Sequence, residues 1–256
     1  MPSNVPMHNQ VIQGSKLKSQ SQLESINEWT KEKKMQLNVK KTKNMLFNFS
    51  KKHQFSTKLT LMNEEIEMVQ ETKLLGTIIT DQITWDRNTE ELTKKAYKRM
   101  QLLNSAAAFT SKINDLKDIY LTYIRSIVEQ SAVVWHSGLS IKNKKDIERV
   151  QKAAVRVIMG RSYKNYTHSL RQLNLVSLEK RRELLSLRFA KNCLRNEKMK
   201  NIFPLKKFKH KMKRRNDRKY ETRKINTKRF ENSALPYMTK LLNEDEERKR
   251  NMTKFN

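Results

Sequence analysis

The fold of this chain follows from the stretch Ile147-Glu148-Arg149-Val150-Gln151-Lys152-Ala153-Ala154-Val155-Arg156. Apolar residues in and just after it recur three and four positions apart, the period of one face of an α-helix. They are Ile147, Val150, Ala154, Val155 and Ile158. Gly160 follows at the position where a C-cap glycine is expected. The stretch predicts an amphipathic helix whose other face carries cations.

Stripes with the same period flank this helix on both sides. Leu92, Ala96, Met100, Leu103 and Ala107 predict a helix that begins near Asp86, and a further stripe runs from Leu116 to Ile127. A fourth helix follows Ser177, with Leu178, Leu184, Leu185, Phe189 and Cys193 as its apolar face. Residues 86–200 therefore predict a basic helical bundle.

Toward the N-terminus the period changes from helix to strand. Leu23, Ile26 and Trp29 predict a helix over about 22–35. Strands are predicted at Met45–Phe49, Lys58–Met62 and about Lys73–Ile79, with a tight turn at Asn63-Glu64 and with Gly76 inside the last strand. Residues 21–85 thus predict a small antiparallel sheet with one helix, and the fold class is α+β.

The two ends lack this periodicity. Residues 1–20 are rich in Pro, Ser, Asn and Gln, and we expect them to be disordered. In the tail, 201–256, 13 of the 24 residues from Lys206 to Arg229 are Lys or Arg, which favours a disordered basic arm. A terminal helix is predicted from Ala234 to Lys249, with its acidic cluster Glu244–Glu247 folded back on the arm.

The charge of the chain indicates its partner. The 55 Lys and Arg against 26 Asp and Glu give a net charge of +29, and the mean hydropathy is −0.85. Such a surplus favours a polyanion, foremost nucleic acid, over an anionic membrane surface or solubility alone. The sequence has no apolar run long enough to cross a membrane. The single Cys193 and the polar start favour an intracellular protein, in nucleus or cytoplasm.

Cations off the apolar stripes are the candidate nucleic-acid-binding residues. They are Lys94, Lys95, Lys98, Arg149, Lys152, Arg156, Arg181 and Arg182. Lysine and arginine contacts to phosphate carry no base information, so sequence-independent binding is expected, with a merely solvated face as the alternative. The apolar neighbours of Trp29, Trp85 and Trp135 place these rings in the core rather than against bases.

The sequence offers no catalytic carboxylate pair. Polymerases hold Mg²⁺ with two or three converging carboxylates, yet no Asp-Asp dipeptide occurs in the chain. The pair Glu64-Glu65 and the single residues Asp81 and Asp86 fit turns and helix caps. We therefore predict no catalytic residue, no metal site and no bound cofactor for this chain.

Several motifs carry a resemblance when taken in order. Trp29 is followed by Leu37-Asn38, then Lys41-Thr42-Lys43 and a predicted strand, and further on by Leu75-Gly76 and Trp85. This order resembles the segment just after the catalytic hairpin in reverse transcriptases of non-LTR retrotransposons. Residues 132–135, 147–156 and 173–182 are similar to the thumb and post-thumb region of jockey-like elements. The similarity spans about 24–195, and Leu74 departs from the aromatic residue usual in the family.

The resemblance implies roles that the residues alone do not. Residues 21–85 would be a palm remnant and 86–200 a thumb-like domain. Lys41 and Lys43 would lie near the incoming nucleotide, and Leu75 and Gly76 at the primer grip. The parent activity is RNA-directed DNA polymerisation with Mg²⁺. Because the aspartates are missing, we expect a truncated fragment that binds RNA or RNA/DNA primer–template and is inactive alone.

Two alternatives remain at this point. The chain is either this polymerase fragment or an unrelated basic helical scaffold that binds RNA or chromatin. A small sheet in residues 43–79 against the 22–35 helix favours the first, and helix throughout favours the second. An Ala-Asp-Asp hairpin encoded immediately upstream would instead make the start of the chain an artefact of gene calling.

Overall fold

A computed structural model describes residues 7–49, 58–110, 112–206 and 218–252, with side chains from residue 18 onward. The chain forms two compact units, residues 1–84 and 85–256. The first combines one long helix with short strands, and the second is built from helices joined by short turns. The predicted α+β class is confirmed.

The N-terminal unit begins with α1, Met7–Glu32. This helix starts inside the range expected to be disordered, so that prediction is wrong from residue 7 onward. Proline, which interrupts helices, occurs at Pro2 and Pro6 and then not again in this segment. The chain can therefore extend the predicted 22–35 helix backward by several turns. Residues 1–6 lie outside the described part.

Six short strands follow α1 and a 3-10 turn at Val39–Lys41. They are β1 Lys43–Asn44, β2 Thr60–Leu61, β3 Glu64–Glu65, β4 Glu67–Met68, β5 Glu71–Leu74 and β6 Thr77–Thr80. They form three two-stranded ladders: β2–β3 and β5–β6 are antiparallel, and β1–β4 is parallel. The predicted strand Met45–Phe49 is wrong in position. The strand lies at Lys43–Asn44 instead, and its pairing with β4 covers two residues only.

Both hairpins turn through residues with positive φ. Met62 and Asn63 have φ of 53° and 64°, and Leu75 and Gly76 have φ of 48° and 85°. Two consecutive positive φ values fit the right-handed twist of the flanking strands. The first turn therefore lies one residue earlier than predicted. Gly76 belongs to a turn between two strands and not to the inside of one.

The long helix is hydrogen-bonded to the first hairpin through Gln20. Gln20 Nε2 donates to the carbonyl of Thr60 at 2.9 Å, and its Oε1 accepts from the amide of Thr60 at 3.1 Å. An edge residue of β2 thus has both backbone groups paired by α1. Further along α1, Trp29 is 53% exposed beside Ile26 at 51%, so the prediction that Trp29 is a core residue is wrong.

The second unit contains nine helices among its described residues. They are α2 Asp86–Phe109, α3 Ile113–Ile119, α4 Ser126–Glu129, α5 Ala132–Trp135, α6 Ile141–Met159, α7 Tyr166–Gln172, α8 Leu178–Arg195, α9 Lys228–Glu231 and α10 Ala234–Met252. The start of α2, the glycine after α6 and the Ser177 cap of α8 agree with prediction. One apolar core fills the bundle, and Trp85 and Trp135 are buried in it as predicted.

One irregular turn interrupts the second predicted stripe. Helices α3 and α4 are joined by a π-helical turn at Tyr120–Arg125, a local form that the sequence pattern did not indicate. Tyr120 is fully buried and donates from its hydroxyl to Oε1 of Gln151 at 2.8 Å. Gln151 in turn donates to the carbonyl of Val176 at 2.9 Å. This chain of hydrogen bonds links the π-helical turn, α6 and the segment before α8.

The C-terminal helix packs onto α8 and forms a second, smaller core. Phe203, Tyr220, Met238 and Leu242 are buried there with Ala190 and Cys193. The acidic cluster folds back as predicted, since Glu246 pairs with Lys219 at 3.0 Å. The helix predicted from Ala234 to Lys249 is present as α10, and the predicted disorder of the basic arm is wrong at Tyr220, because this side chain is buried in the second core. The range 207–217 lies outside the described residues.

Candidate nucleic-acid interface

Positive charge is concentrated in the helical unit. Residues 85–256 hold 43 of the 55 Lys and Arg and 18 of the 26 Asp and Glu, a net charge of +25. The apolar stripes of its helices face the core, so the cations lie mainly outside. A unit of this kind has a field that attracts polyanions from a distance.

The two lysines expected near a nucleotide lie on the N-terminal unit. Lys41 ends the 3-10 turn, and its amide donates to Oδ1 of Asn38 at 3.1 Å. The Lys41 side chain is exposed, whereas Lys43 on β1 forms an ion pair with Glu67 on β4. The Leu-Asn-x-x-Lys motif thus builds a capped turn that presents one lysine to solvent and ties the other to the ladder.

The other predicted pair, Leu75 and Gly76, forms the tip of the β5–β6 hairpin. Leu75 is 89% exposed, the most exposed large hydrophobic side chain of the described hairpins. Lys43 lies on the β1–β4 ladder directly after the turn that contains Lys41, whereas Leu75 and Gly76 lie at the tip of the separate β5–β6 hairpin. An exposed leucine at positive φ is an unfavourable local choice of residue.

On α2 the predicted cations differ in their surroundings. Lys94 and Lys98 are exposed, and Lys95 forms an ion pair with Glu91 at 3.0 Å. Next to them a cleft of about 330 Å³ separates the beginnings of α2 and α6. It is lined by Arg87, Lys142 and Arg149 but also by Asp86, Glu90 and Asp146. Its mixed charge does not single it out as an anion site.

The predicted cations of α6 are exposed and are each held by a neighbour. Arg149 pairs with Asp146 at 2.5 Å. Lys152 Nζ lies 5.3 Å from the centre of the Tyr166 ring, and the Arg156 guanidinium 5.6 Å from that of Tyr163. Cation–π contacts of this length restrain long side chains without neutralising them.

The two predicted cations of α8 have opposite environments. Arg181 is half-buried and pairs with Glu129 at 3.1 Å. Arg182 is fully buried, so the prediction that it lies on the outer face is wrong. The buried residues of α8 are Leu178, Arg182, Ser186, Ala190 and Cys193. The more hydrophobic Leu184 and Phe189 are about two-fifths exposed instead, at 44% and 40%.

A buried guanidinium needs compensation, and the core around Arg182 supplies part of it: among the described residues, Nη1 and Nη2 have no hydrogen-bond partner. Its Nε donates to Nδ1 of His136 at 3.2 Å, and its guanidinium lies 5.8 Å from the Trp135 ring centre. Burial lowers the pKa of Arg182, an effect opposed by Glu148, Glu179 and Glu129. Burial and then the charge of Arg182 lower the pKa of His136 to about 4. His136 is therefore neutral at pH 7 and accepts the hydrogen bond.

Three residues that the sequence did not single out support the α6 surface. Glu148 accepts a hydrogen bond from the hydroxyl of Tyr166. It also accepts from the backbone amides of Leu178 and Glu179, and both of these distances are 3.3 Å. It thereby joins α6, α7 and the beginning of α8. Tyr163 and Tyr166 carry the two cations described above. No local signal marks the two tyrosines, because their cation partners lie seven and fourteen positions away in the sequence, and the amides bound by Glu148 lie thirty and thirty-one positions away.

Two further properties concern the described residues. Among them, no group of three or more His, Cys, Asp or Glu side chains is arranged to hold a metal ion. None of their helices has the length and apolar character that crossing a bilayer requires. Comparison with known proteins gives no relative: no protein family, no curated protein and no solved structure matches the chain.

Proposed function

We propose that this chain is a nucleic-acid-binding module of reverse-transcriptase type. It holds RNA or an RNA/DNA primer–template through the basic helices of residues 85–256. The observation that carries the proposal is the net charge of +25 on a unit with an apolar interior and a cationic exterior. Each phosphate that such a surface neutralises releases condensed counterions, so binding is strong at low salt and independent of sequence.

The kinship with non-LTR reverse transcriptases rests on motif order, and the N-terminal unit supports it. Residues 43–44 and 60–80 contain the strands of three short ladders, and α1 contacts one of these ladders through Gln20. A basic scaffold made of helix throughout would lack both features. The parent activity is RNA-directed DNA polymerisation with Mg²⁺, and its nucleic-acid substrates place the chain in nucleus or cytoplasm.

The proposed role is holding rather than polymerising. Two of the carboxylates after the expected position of the catalytic hairpin are in ion pairs: Glu65 with Lys58 at 3.0 Å, and Glu67 with Lys43. Asp86 accepts from Nδ2 of Asn143 at 3.0 Å at the beginning of α2. These contacts give the carboxylates structural roles, and we propose that they do not serve as ligands of catalytic metal ions.

Fluorescence anisotropy with a labelled RNA–DNA hybrid tests this function. We expect tight binding at 50 mM salt that weakens by roughly 10³-fold or more at 200 mM, as for six or more phosphate contacts. Two hybrids of equal length and unrelated sequence should bind equally well. A primer-extension assay with Mg²⁺ and all four deoxynucleotides should show no product.

Each outcome bears on a separate part of the proposal. Absence of binding at 50 mM salt, or binding that ignores salt, would overturn the nucleic-acid function. A preference for one sequence over the other would overturn backbone recognition. Extension of the primer would overturn the assignment of a holding role.

A further inference from the structure

The exposed face of α6 carries a regular row of five cations. Lys142, Lys145, Arg149, Lys152 and Arg156 follow one another at intervals of three, four, three and four residues. Positions so spaced lie on one face of a helix. All five residues are exposed, whereas Ile147, Val150, Ala154 and Val155 point into the core on the opposite face. We call these five residues the α6 row.

Neighbouring side chains hold the middle and the end of the row in place. Arg156 lies fourteen positions after Lys142 on the helix, a rise of about 21 Å. Arg149 is paired with Asp146, Lys152 lies over Tyr166, and Arg156 lies over Tyr163. Tyr166 is itself fixed by the hydrogen bond from its hydroxyl to Glu148. These contacts reduce the side-chain entropy that a bound phosphate would otherwise cost.

Positive charge continues beyond the row toward α7, along a stretch of sequence without acidic residues. From Arg149 to Leu178 the sequence contains no Asp or Glu, and Arg161, Lys164 and Arg171 are exposed within that stretch. Of the acidic residues on α6 itself, Asp146 pairs with Arg149 and Glu148 is directed to α7 and α8. From Lys152 onward the face from α6 to α7 is therefore cationic, whereas Lys142 and Arg149 border the mixed-charge cleft that also contains Asp86 and Glu90.

We propose that the α6 row is the track for one phosphate backbone of a nucleic-acid duplex, an inference that rests on the proposed function. The row has no apolar member, so it lacks the apolar face by which an amphipathic helix binds a partner helix or a membrane surface. The Tyr163 and Tyr166 rings are covered by their own cations and do not offer stacking platforms, which single-strand binders rely on. A stiff line of cations without stacking residues fits the stiff backbone of a duplex.

A five-fold substitution tests the proposal in the full chain. The row variant replaces Lys142, Lys145, Arg149, Lys152 and Arg156 by Gln. The matched control replaces five exposed lysines elsewhere, Lys112, Lys198, Lys224, Lys228 and Lys240, and so removes the same charge. A third variant exchanges Lys and Arg within the row and keeps every charge. The probes are a labelled 20-base-pair RNA–DNA hybrid and the RNA strand alone.

For the row variant we expect affinity for the hybrid to fall by roughly 100-fold or more at 50 mM salt. The slope of log K against log salt should become less steep by about 4, since a duplex contributes about 0.9 per phosphate contact. The control should change the slope by less than about 1, and the exchange variant should bind as the unchanged chain does. Thermal unfolding followed by circular dichroism shows whether the row variant is folded, and the exchange variant tests the site if it is not.

The failures of the two proposals are distinguishable. If the unchanged chain binds the hybrid but the row variant and the control lose affinity equally, the α6 row is overturned and the general function stands. If the exchange variant loses affinity although its charge is intact, the row is overturned as well. Tighter binding of the single RNA strand than of the hybrid contradicts the duplex assignment. If the unchanged chain binds neither probe, both proposals fail.

Discussion

Arg182 donates from Nε to Nδ1 of His136 across 3.2 Å, within a core where both side chains are buried. Because Nδ1 accepts, the neutral imidazole carries its proton on Nε2, which faces the Tyr237 hydroxyl at 3.4 Å. Through these two contacts, His136 in the turn after α5 is joined to Arg182 on α8 and to Tyr237 on α10. This arrangement makes Arg182 a residue of the fold and removes it from the cationic surface.

Replacement of Arg182 by Ala should destabilise the helical unit and leave binding intact. The change leaves a cavity in the core and removes the hydrogen bond to Nδ1 of His136. We therefore expect a loss of roughly 3 kcal/mol in the free energy of unfolding. Urea unfolding measures this loss. Arg188→Ala, an exposed cation on the same helix, should stay within about 0.5 kcal/mol. Weaker hybrid binding by folded Arg182→Ala than by Arg188→Ala would contradict the buried role.

The neutral state of His136 predicts a dependence of stability on pH. Its folded pKa of about 4 lies below the value of about 6.5 expected when unfolded. The unfolded chain therefore binds the proton first. The stabilisation is complete above about pH 6.5 and is lost as the pH falls toward 4.

Between pH 7.5 and 5 we expect the free energy of unfolding to fall by about 2 kcal/mol from this group. The carboxyl groups of Glu179, Asp245 and Glu246 have pKa values held low by lysine partners, so they contribute to pH dependence only at more acidic pH. Urea midpoints at the two pH values measure the effect. His136→Asn keeps an acceptor for Arg182 without the titration, and its profile should be nearly flat. An equally steep profile in that variant would assign the effect to another group.

Glu148 and Tyr166 should be energetically coupled. Glu148 accepts from the Tyr166 hydroxyl and from two backbone amides at the beginning of α8, so Glu148→Ala removes three contacts and Tyr166→Phe removes one. We expect losses of about 3 and about 1 kcal/mol. A double-mutant cycle by urea unfolding should give a coupling of about 1 kcal/mol.

The exposed neighbour pair Lys180 and Glu183 on α8 supplies the comparison, at 2.7 Å between charged atoms. A cycle on that pair should give a coupling below about 0.5 kcal/mol, since solvent screens surface ion pairs. Coupling of Glu148 with Tyr166 no larger than this would show that the contact does not organise α6, α7 and α8.

Periodicity was sufficient to predict the long helices, but it predicted neither the short helices α5, α7 and α9 nor every buried face. On α6 the predicted stripe Ile147, Val150, Ala154, Val155 and Ile158 is buried, so hydrophobicity and burial agree there. On α8 they disagree: Ser186 and Ala190 are buried because small side chains let neighbouring helices approach, while Leu184 remains partly exposed. The position of Arg182 could not be predicted, because its partners Trp135 and His136 lie more than forty residues away. Strands of two to four residues have too little pattern to reveal their pairing.

The hairpin tip at Leu75 yields a prediction that separates conformation from contact. Leu75 has φ of 48° and is 89% exposed, at a position where Asn is better tolerated than a branched apolar residue. Leu75→Asn should raise the stability of the N-terminal unit by about 0.5–1 kcal/mol. If the tip meets the primer, as the resemblance implies, the same change should weaken hybrid binding.

Met62 offers a matched control, since it occupies the equivalent turn of the β2–β3 hairpin with φ of 53°. Met62→Asn should bring a similar gain in melting temperature without a change in affinity, because only Leu75 carries the resemblance to a primer contact. Anisotropy with the RNA–DNA hybrid and thermal unfolding are measured on both variants. Equal affinities would show that Leu75 is strained without being used for binding, and a loss of stability in both would show that leucine and methionine stabilise these turns through contacts of their own.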